Sequence, residues 1–181
     1  IIQTLCKNGF LVKEQEKIQY HKDSINYAAF KDLNEEQERA KDALVQNIRR
    51  GTYHTFLLEG VTGSGKTEVF LYAIKEVLDQ GGSVIVLVPE IALTKQTLDR
   101  FRERFGNNVA LTHSRMTPKE RKSLFIKAKN GEISIVIGPR SAVFTPFENL
   151  KLIIIDEEHD TSYKSETMPK YHATEVAKMR M

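Results

Sequence analysis

One stretch of the chain carries the residue types and the spacing that bind the phosphates of a nucleotide. Gly60–Thr67 matches the pattern G-x-x-x-x-G-K-T, and it lies between an apolar run and an amphipathic run. Its glycines let backbone N–H groups approach phosphate oxygens, because a Cβ atom would obstruct them. The pattern predicts that Lys66 reaches the β- and γ-phosphates and that Thr67 offers its hydroxyl to Mg²⁺. The candidate nucleotide-binding residues are Gly60, Val61, Thr62, Gly63, Ser64, Gly65, Lys66 and Thr67.

A second stretch supplies the carboxylates that phosphate chemistry needs. The apolar run Leu152–Ile155 is followed by the sequence Asp-Glu-Glu-His. At the carboxyl end of a strand, Asp156 can hold the Mg²⁺ that Thr67 also contacts. Glu157 is predicted to orient or deprotonate an attacking water, which an enzyme needs and a pure nucleotide carrier does not. The alternatives are a solvated acidic loop here and an unremarkable glycine-rich turn upstream, and the agreement of both patterns argues against them.

Alternating strands and helices position these residues. Strands are predicted at His54–Leu58, Ser83–Val88, Val109–Thr112, Ile133–Ile137 and Leu150–Ile155, the last two being nearly continuous apolar runs. Helices are predicted between or before them, including Glu35–Arg50, Thr67–Gln80 and the segment from the capping box at Thr117–Glu120 to the stop at Asn130. This alternation predicts an α/β fold with a mostly parallel sheet, right-handed crossovers and helices on both faces.

Length and composition set the limits of the interpretation. The chain has 181 residues, 40% of them hydrophobic and 28% charged, as in ordinary globular proteins. No apolar run has membrane-spanning length, and nothing near Ile1 resembles a signal peptide. The single cysteine, Cys6, excludes an intrachain disulfide and a cysteine-based zinc site, and it favours the cytoplasm. A net charge of +3 permits a polyanionic partner without requiring one.

The first 32 residues have a different pattern. Ile1–Asn8 predicts a short helix and Gly9–Val12 the start of a strand, whereas Lys13–Lys22 is charged and lacks an apolar stripe. A winged-helix module ends in this order, as do many other folds. We therefore predict that residues 1–32 are the tail of an upstream module with its linker, and that residues 33–181 form the nucleotide-binding domain. Since the chain starts with Ile and stops inside a predicted helix, we expect it to be a piece of a longer protein.

The remaining patterns discriminate between classes of nucleotide hydrolase. The chain lacks an Asn-Lys-x-Asp motif, which argues against a GTPase, and a Leu-Ser-Gly-Gly-Gln motif, which argues against a transporter ATPase. Asp-Glu-Glu-His resembles the second motif of superfamily-two helicases. Five further segments together resemble one family, the primosomal replication-restart helicases: Val88–Thr94, Thr112–Ser114, Gly138–Phe144, Asp160–Lys164 and Tyr171–Ala173. The resemblance covers residues 33–181 and implies the first of two RecA-like lobes of a P-loop NTPase.

The resemblance also implies roles in the nucleotide site. Gln37 would read the adenine, although a capping role at the start of its helix is an alternative and both can hold. The catalytic set would be Lys66, Asp156, Glu157 and His159, in which His159 couples the site to the second lobe. A purely local hydrogen-bonded histidine is the alternative for His159. Thr67 and Asp156 would be the Mg²⁺ ligands.

A DNA-binding face follows from the same resemblance. Hydroxyls, backbone N–H groups and a guanidinium at the strand ends would contact phosphates without reading sequence. An aromatic-rich loop after the acidic motif would sense DNA, with His172 beside its aromatic residues. The family tends to have Gln after Ser-Tyr-Lys, whereas this chain has Ser165 and Glu166, so this loop could instead be an ordinary mobile surface loop. His113 and Ser114 are either part of this face or plain polar residues at a strand end. The candidate DNA-binding residues are Pro89, Thr94, Arg140, Ser141, Tyr163, Lys164 and Tyr171.

The function implied is that of an ATP- and Mg²⁺-dependent 3′→5′ DNA helicase. Its partners would be single-stranded and forked DNA, primosome proteins and single-stranded-DNA-binding protein, with no membrane. Zinc and the arginine finger would belong to the second lobe, so we expect the chain alone to bind ATP weakly and to hydrolyse it poorly. The alternatives are an ATP-gated DNA- or protein-binding module, another superfamily-two translocase such as a fork-reversal helicase, and an RNA helicase.

Overall fold

Four parallel strands form the centre of the molecule. The computed structural model describes residues 30–61 and 63–181, so Thr62 and the helix, strand and winged-helix tail predicted for the first 29 residues lie outside the described residues. The strands are hydrogen-bonded in the order β2-β3-β1-β4. Their bounds are Ser83–Leu87 for β1, Val109–Leu111 for β2, Ile135–Gly138 for β3 and Leu150–Ile155 for β4. The predicted α/β fold with a parallel sheet is confirmed.

Five α-helices surround the sheet within the described part of the chain. They are α1 (Glu35–Arg50), α2 (Lys66–Asp79), α3 (Lys95–Phe105), α4 (Pro118–Lys129) and α5 (Ala173–Arg180). The capping box predicted for α1 is present: the Asn34 side chain accepts from the Gln37 N–H, and the Gln37 side chain accepts from the Asn34 N–H, both at 2.9 Å. Short 3₁₀ turns follow β1, α3, β3 and β4. Among the described residues, no helix has the length and apolarity needed to cross a membrane.

The sheet is covered on both faces, as its apolar strands predict. Side chains of β1 alternate between the two faces. Val84 and Val86 belong to the core that α2 and α3 contribute to. Ile85 and Leu87 belong to the core that α4 and α5 contribute to. A strand buried on both faces has no polar face, which explains the continuous apolar runs in the sequence.

One predicted strand, His54–Leu58, is wrong. Residues 52–60 have no regular secondary structure, and Phe56 and Leu57 are 42% and 76% exposed. The apolar pattern reflects the local preference of these residues for an extended conformation, but a strand forms only when a neighbouring backbone pairs with it. Within the described residues, no strand pairs with this segment. The phosphate loop is therefore reached through an irregular segment and not through a strand of the sheet.

An ion pair holds α1 against α2. The Arg49 guanidinium donates to both carboxylate oxygens of Glu76, at 2.8 and 2.9 Å. These hydrogen bonds lower the pKa of the Glu76 carboxyl below its ordinary value of 4.5, against the opposing effect of burial. The contact matters for function because α1 carries Gln37 and α2 begins at the phosphate loop.

Replacing Ile85 by Ala should lower the free energy of unfolding by about 2–5 kcal/mol, because a buried side chain leaves a cavity between the sheet and its helices. Ile85 is 0% exposed. Chemical denaturation followed by circular dichroism measures the change. The matched control is Ile126→Ala on α4, where the side chain is 48% exposed and the expected change is within about 0.5 kcal/mol. Equal losses in the two variants would contradict the assignment of Ile85 to the core.

Replacing Glu76 by Gln should lower the thermal midpoint at pH 7, and the difference from the wild type should shrink as the pH falls below 4.5. The folded pKa is depressed, so the stabilisation is present above pH 4.5 and disappears as the pH falls through the folded pKa. Asp79→Asn is the control, because Asp79 pairs with Lys75 inside the same helix. A difference between Glu76→Gln and the wild type that did not shrink as the pH fell below 4.5 would show that the ion pair is not its cause.

Candidate functional site

A cleft of about 410 Å³ lies at the carboxyl edge of the sheet, and we call it the central cleft. The carboxyl ends of parallel strands lie at one edge of the sheet, where ligands of open α/β sheets bind. The cleft joins the phosphate loop to the acidic segment that follows β4. Its lining residues are Lys31, Gly63, Ser64, Gly65, Lys66, Thr67, Glu68, Arg100, Asp156 and Glu157.

The phosphate loop needs glycine at two positions. Gly63 and Gly65 have φ angles of +83° and +81°, which residues with a side chain rarely adopt. A Cβ atom at Gly65 would also lie 2.4 Å from Nε2 of Gln37. That amide nitrogen donates to the Ser64 carbonyl oxygen at 2.8 Å, so Gln37 holds the loop as well as capping α1. The reading of adenine by Gln37 stays a prediction.

The loop presents polar groups that fit a phosphate. The Lys66 ammonium donates to the carbonyl oxygens of Gly60, at 2.5 Å, and Val61, at 3.2 Å. The Ser64 hydroxyl is buried and has no hydrogen-bond partner among the described residues. A buried hydroxyl without a partner is costly in a folded protein, and a phosphate oxygen would supply one. The chemistry of the loop therefore matches the ligand that its sequence predicts.

Asp156 faces the loop from the end of β4. Burial raises the pKa of its carboxyl, while a hydrogen bond from the Glu157 N–H at 3.1 Å and the charge of Lys66 lower it. A partly desolvated carboxylate favours a nearby cation, and Thr67 also lines the cleft. Thr67 and Asp156 thus fit the pair of ligands expected for Mg²⁺ beside a nucleotide.

Glu157 and His159 follow in an exposed turn. Glu157 has a φ angle of +50°, a left-handed conformation that is uncommon outside glycine and costs about 1–3 kcal/mol. Nε2 of His159 lies 3.4 Å from a carboxylate oxygen of Glu157. The His159 side chain is 81% exposed, so it is accessible to a neighbouring surface. Its coupling role remains a prediction.

Tyr163 is a candidate DNA-binding residue, but its burial in this structure contradicts a contact of its ring with DNA. Tyr163 is 0% exposed, so its ring offers no face to a base. Its hydroxyl donates to the Asp156 carbonyl oxygen at 2.5 Å, and burial raises its pKa above the usual range. Tyr163 instead fixes the backbone of the residue that is the candidate Mg²⁺ ligand.

Two other candidate DNA contacts are engaged inside the protein. Pro89 is buried, which contradicts a side-chain contact with DNA. The half-buried Arg140 donates through Nη1 to the carbonyl oxygens of Ser162 and Lys164, at 2.9 and 3.0 Å. These bonds join the segment after β3 to the segment after β4. Arg140 therefore has a structural role that the sequence did not indicate.

The remaining candidates are accessible at the same edge of the sheet. Thr94 and Lys164 are exposed, whereas Ser141 and Tyr171 are half-buried. Thr94 also caps α3, its hydroxyl accepting from the Thr97 N–H at 3.2 Å. Their contact with nucleic acid stays a prediction.

Two further contacts between side chains lie near the edge. The Tyr171 ring packs edge-on against Phe144, with centroids 5.1 Å apart, and Phe144 itself is 46% exposed. The Ser114 hydroxyl donates to the Glu90 carboxylate and so links the loops after β2 and β1. This bond gives Ser114, one of the two residues left with open alternatives, a polar contact at a strand end.

Sequence reasoning missed two cations of the central cleft. Lys31 and Arg100 line it, although neither belongs to a recognised motif. Lys31 precedes α1, and its ammonium lies 3.7 Å from a carboxylate oxygen of Glu68. Arg100 lies on α3, which contains three arginines and one lysine, and no signal in the sequence separates them. Only the packing of α3 against α2 distinguishes Arg100.

Comparison with known proteins gives a consistent family match. The model of the DEAD/DEAH box helicase family matches residues 34–179. The chain is 45% identical to the replication restart protein PriA of Bacillus subtilis, over 97% of this chain and 22% of that protein. It is 47% identical to the Synechocystis protein of the same name, over 99% and 22%, and 45% identical to that of Chlamydia pneumoniae, over 99% and 24%. The resemblance found in the sequence is confirmed, and the chain spans less than a quarter of each relative.

Replacing Tyr163 by Phe should weaken ATP binding severalfold in the presence of Mg²⁺ and leave Mg²⁺-free binding unchanged. The variant leaves the Asp156 carbonyl oxygen without its donor, which costs about 1–3 kcal/mol for a buried group. Titration with a fluorescent ATP analogue, with Mg²⁺ or with a chelator, measures both affinities. The control is Tyr171→Phe, because the Tyr171 hydroxyl makes no hydrogen bond within the described residues. Unchanged binding in Mg²⁺ would refute the positioning role of Tyr163.

Proposed function

Because the chain belongs to the DEAD/DEAH box helicase family, we propose that it is the ATP-binding lobe of a DNA helicase that acts in the restart of stalled replication forks. One observation carries the proposal: the phosphate loop and the acidic segment after β4 place Lys66, Thr67, Asp156 and Glu157 around one cleft. The names of the relatives support the cellular role. The same role favours the cytoplasm as the location.

The residues of the cleft have separate roles in ATP cleavage. Lys66 exchanges its bonds to the Gly60 and Val61 carbonyl oxygens for bonds to the triphosphate. Thr67 and Asp156 would hold Mg²⁺, which neutralises charge on the phosphate oxygens when bound. The Glu157 carboxylate orients a water for attack on the terminal phosphate and accepts its proton. Water is the nucleophile, and its attack breaks the bond between the terminal phosphorus and the bridging oxygen, so that ADP leaves and inorganic phosphate forms.

A hydrogen-bonded path joins the cleft to the edge where DNA would bind. The Arg140 guanidinium donates to the carbonyl oxygens of Ser162 and Lys164. Tyr163 lies between these two residues in the chain, and its hydroxyl donates to the Asp156 carbonyl oxygen. A DNA phosphate that attracts the Arg140 guanidinium competes with those carbonyl oxygens. The segment carrying Tyr163 would then shift, and the position of Asp156 would change with it. We propose this path as the route by which DNA stimulates hydrolysis.

DNA contacts and a second lobe would complete the helicase. Thr94, Ser141, Lys164 and Tyr171 would contact a single strand without reading its sequence, and movement would run 3′→5′. His159 would face a second lobe that supplies an arginine finger and holds zinc. Forked DNA, primosome proteins and single-stranded-DNA-binding protein would be the partners. By itself the chain would bind ATP weakly and hydrolyse it poorly.

Two substitutions separate ATP binding from hydrolysis in the complete natural protein. Lys66→Ala should weaken ATP binding at least tenfold, because the triphosphate loses its lysine. Glu157→Gln should keep ATP binding and reduce the DNA-stimulated hydrolysis rate by about 10²–10⁴, the usual contribution of a general base, with loss of unwinding. Radiolabelled-ATP binding, phosphate release and strand-separation assays measure the three activities.

The matched control for Lys66→Ala is Lys75→Ala, on the same helix and paired with Asp79, which should behave as the wild type. Single-stranded RNA serves as the second control and should stimulate hydrolysis less than single-stranded DNA. Equal stimulation by RNA would indicate an RNA helicase. Unchanged unwinding in Glu157→Gln would refute the role of Glu157 and favour a binding module in which hydrolysis is incidental.

A further inference from the structure

The central cleft contains a cation that no sequence motif assigns. Arg100 lines the cleft together with Asp156 and Glu157, which lie at the end of β4. We propose that Arg100 is a second phosphate-binding cation of the nucleotide site, contacting the β- or γ-phosphate beside Lys66. The inference rests on the proposed function, since it assumes that the ligand of the cleft is a nucleoside triphosphate.

The packing of α3 into the core that it shares with α2 fixes where Arg100 lies. Phe101 and Phe105 are 3% and 0% exposed and share the core that contains Leu71 and Ile74 of α2. Two large buried rings, four residues apart, prevent α3 from rotating about its axis. The residue preceding Phe101 is therefore held at a defined position relative to the start of α2.

An ion pair fixes the position of α3 along its axis relative to the phosphate loop. Nη2 of Arg104 lies 3.8 Å from Oε2 of Glu68, the second residue after Lys66. The Arg104 guanidinium also lies 5.5 Å from the ring centroid of Phe30 and is buried. Residues four positions apart share one side of a helix, so Arg100 lies one turn from this contact, about 5–6 Å along α3. Because α3 begins at the carboxyl edge of the sheet, the turn that contains Arg100 lies nearer to the phosphate loop than the turn that contains Arg104.

Charge balance in the cleft favours a phosphate as the partner of Arg100. Glu68 already has two cations, Lys31 at 3.7 Å and Arg104 at 3.8 Å. Arg100 is exposed and makes no ion pair or hydrogen bond of its side chain within residues 30–61 and 63–181. A triphosphate carries about four negative charges, more than Lys66 and one divalent ion neutralise. A guanidinium binds phosphate oxygens through two parallel N–H groups, which makes Arg100 suited to the remaining charge.

Arg102 provides a matched control on the same helix. It is exposed like Arg100, has the same charge and lies two residues further along α3. It is not among the residues that line the central cleft. Positions two apart point in different directions on a helix, so Arg102 shares the general electrostatic effect of Arg100 without its contact.

In the complete natural protein, the test measures dissociation constants of ATP and AMP for the wild type, Arg100→Ala, Arg100→Lys and Arg102→Ala, at fixed Mg²⁺ and ionic strength. Arg100→Ala should weaken ATP binding about tenfold or more, because one charge-assisted phosphate contact is lost. AMP binding should change less than twofold, Arg100→Lys should fall between wild type and Ala, and Arg102→Ala should match the wild type. Thermal midpoints within a degree of wild type would establish that all variants fold.

Three results would overturn the inference. Arg100→Ala that binds ATP as tightly as Arg102→Ala would exclude a contact with the nucleotide. Equal losses for ATP and AMP would place the contact at the base or sugar and refute the phosphate assignment. If Lys66→Ala weakens ATP binding while Arg100→Ala does not, the proposed function stands and only the role of Arg100 fails. A wild-type protein that does not bind ATP would instead refute the proposed function itself.

Discussion

The position of the Asp156 backbone is the constraint on which the rest of the site depends. Its N–H donates to the Leu87 carbonyl oxygen at 2.9 Å, which continues the pairing of β4 with β1 beyond the end of the strand. Its carbonyl oxygen accepts from the buried Tyr163 hydroxyl at 2.5 Å. Held on both sides of its backbone, Asp156 directs a partly desolvated carboxylate toward the phosphate loop. A Mg²⁺ ligand must be placed to within a fraction of an ångström, and two backbone anchors achieve this where a surface loop does not.

The same site contains features that lower stability in the absence of a ligand. Burial penalises the charge of Asp156, Glu157 adopts a left-handed backbone, and the Ser64 hydroxyl is buried without a partner in the described part of the chain. Each costs of order one to a few kcal/mol, and the two cores that cover the sheet offset these costs. Local departures from good packing and hydrogen bonding are expected where a protein reserves groups for a ligand. Their concentration around one cleft supports its assignment as the functional site.

Sequence patterns predicted what local chemistry determines. The capping box of α1, the apolar strands and the phosphate loop each depend on residues close together in the chain, and all are present. The strand at 54–58 failed because a strand needs a partner from elsewhere in the chain. Tyr163 was misassigned because the sequence does not indicate whether the side chain of a loop tyrosine is exposed to solvent or buried in the core. Arg100 was missed because only the tertiary contacts of α3 separate it from Arg102.

The candidate nucleotide-binding and DNA-binding residues lie at one edge because the sheet is parallel. Every strand of a parallel sheet ends on the same side, so segments that follow β1, β3 and β4 become neighbours without any direct sequence relation. Arg140 uses this proximity by bonding two carbonyl oxygens of the segment after β4. A ligand that moves Arg140 therefore acts on the segment that anchors Asp156, over a short hydrogen-bonded path. The proposed coupling between the two sites depends on strand direction together with one arginine and one buried tyrosine, and it does not require movement of the core.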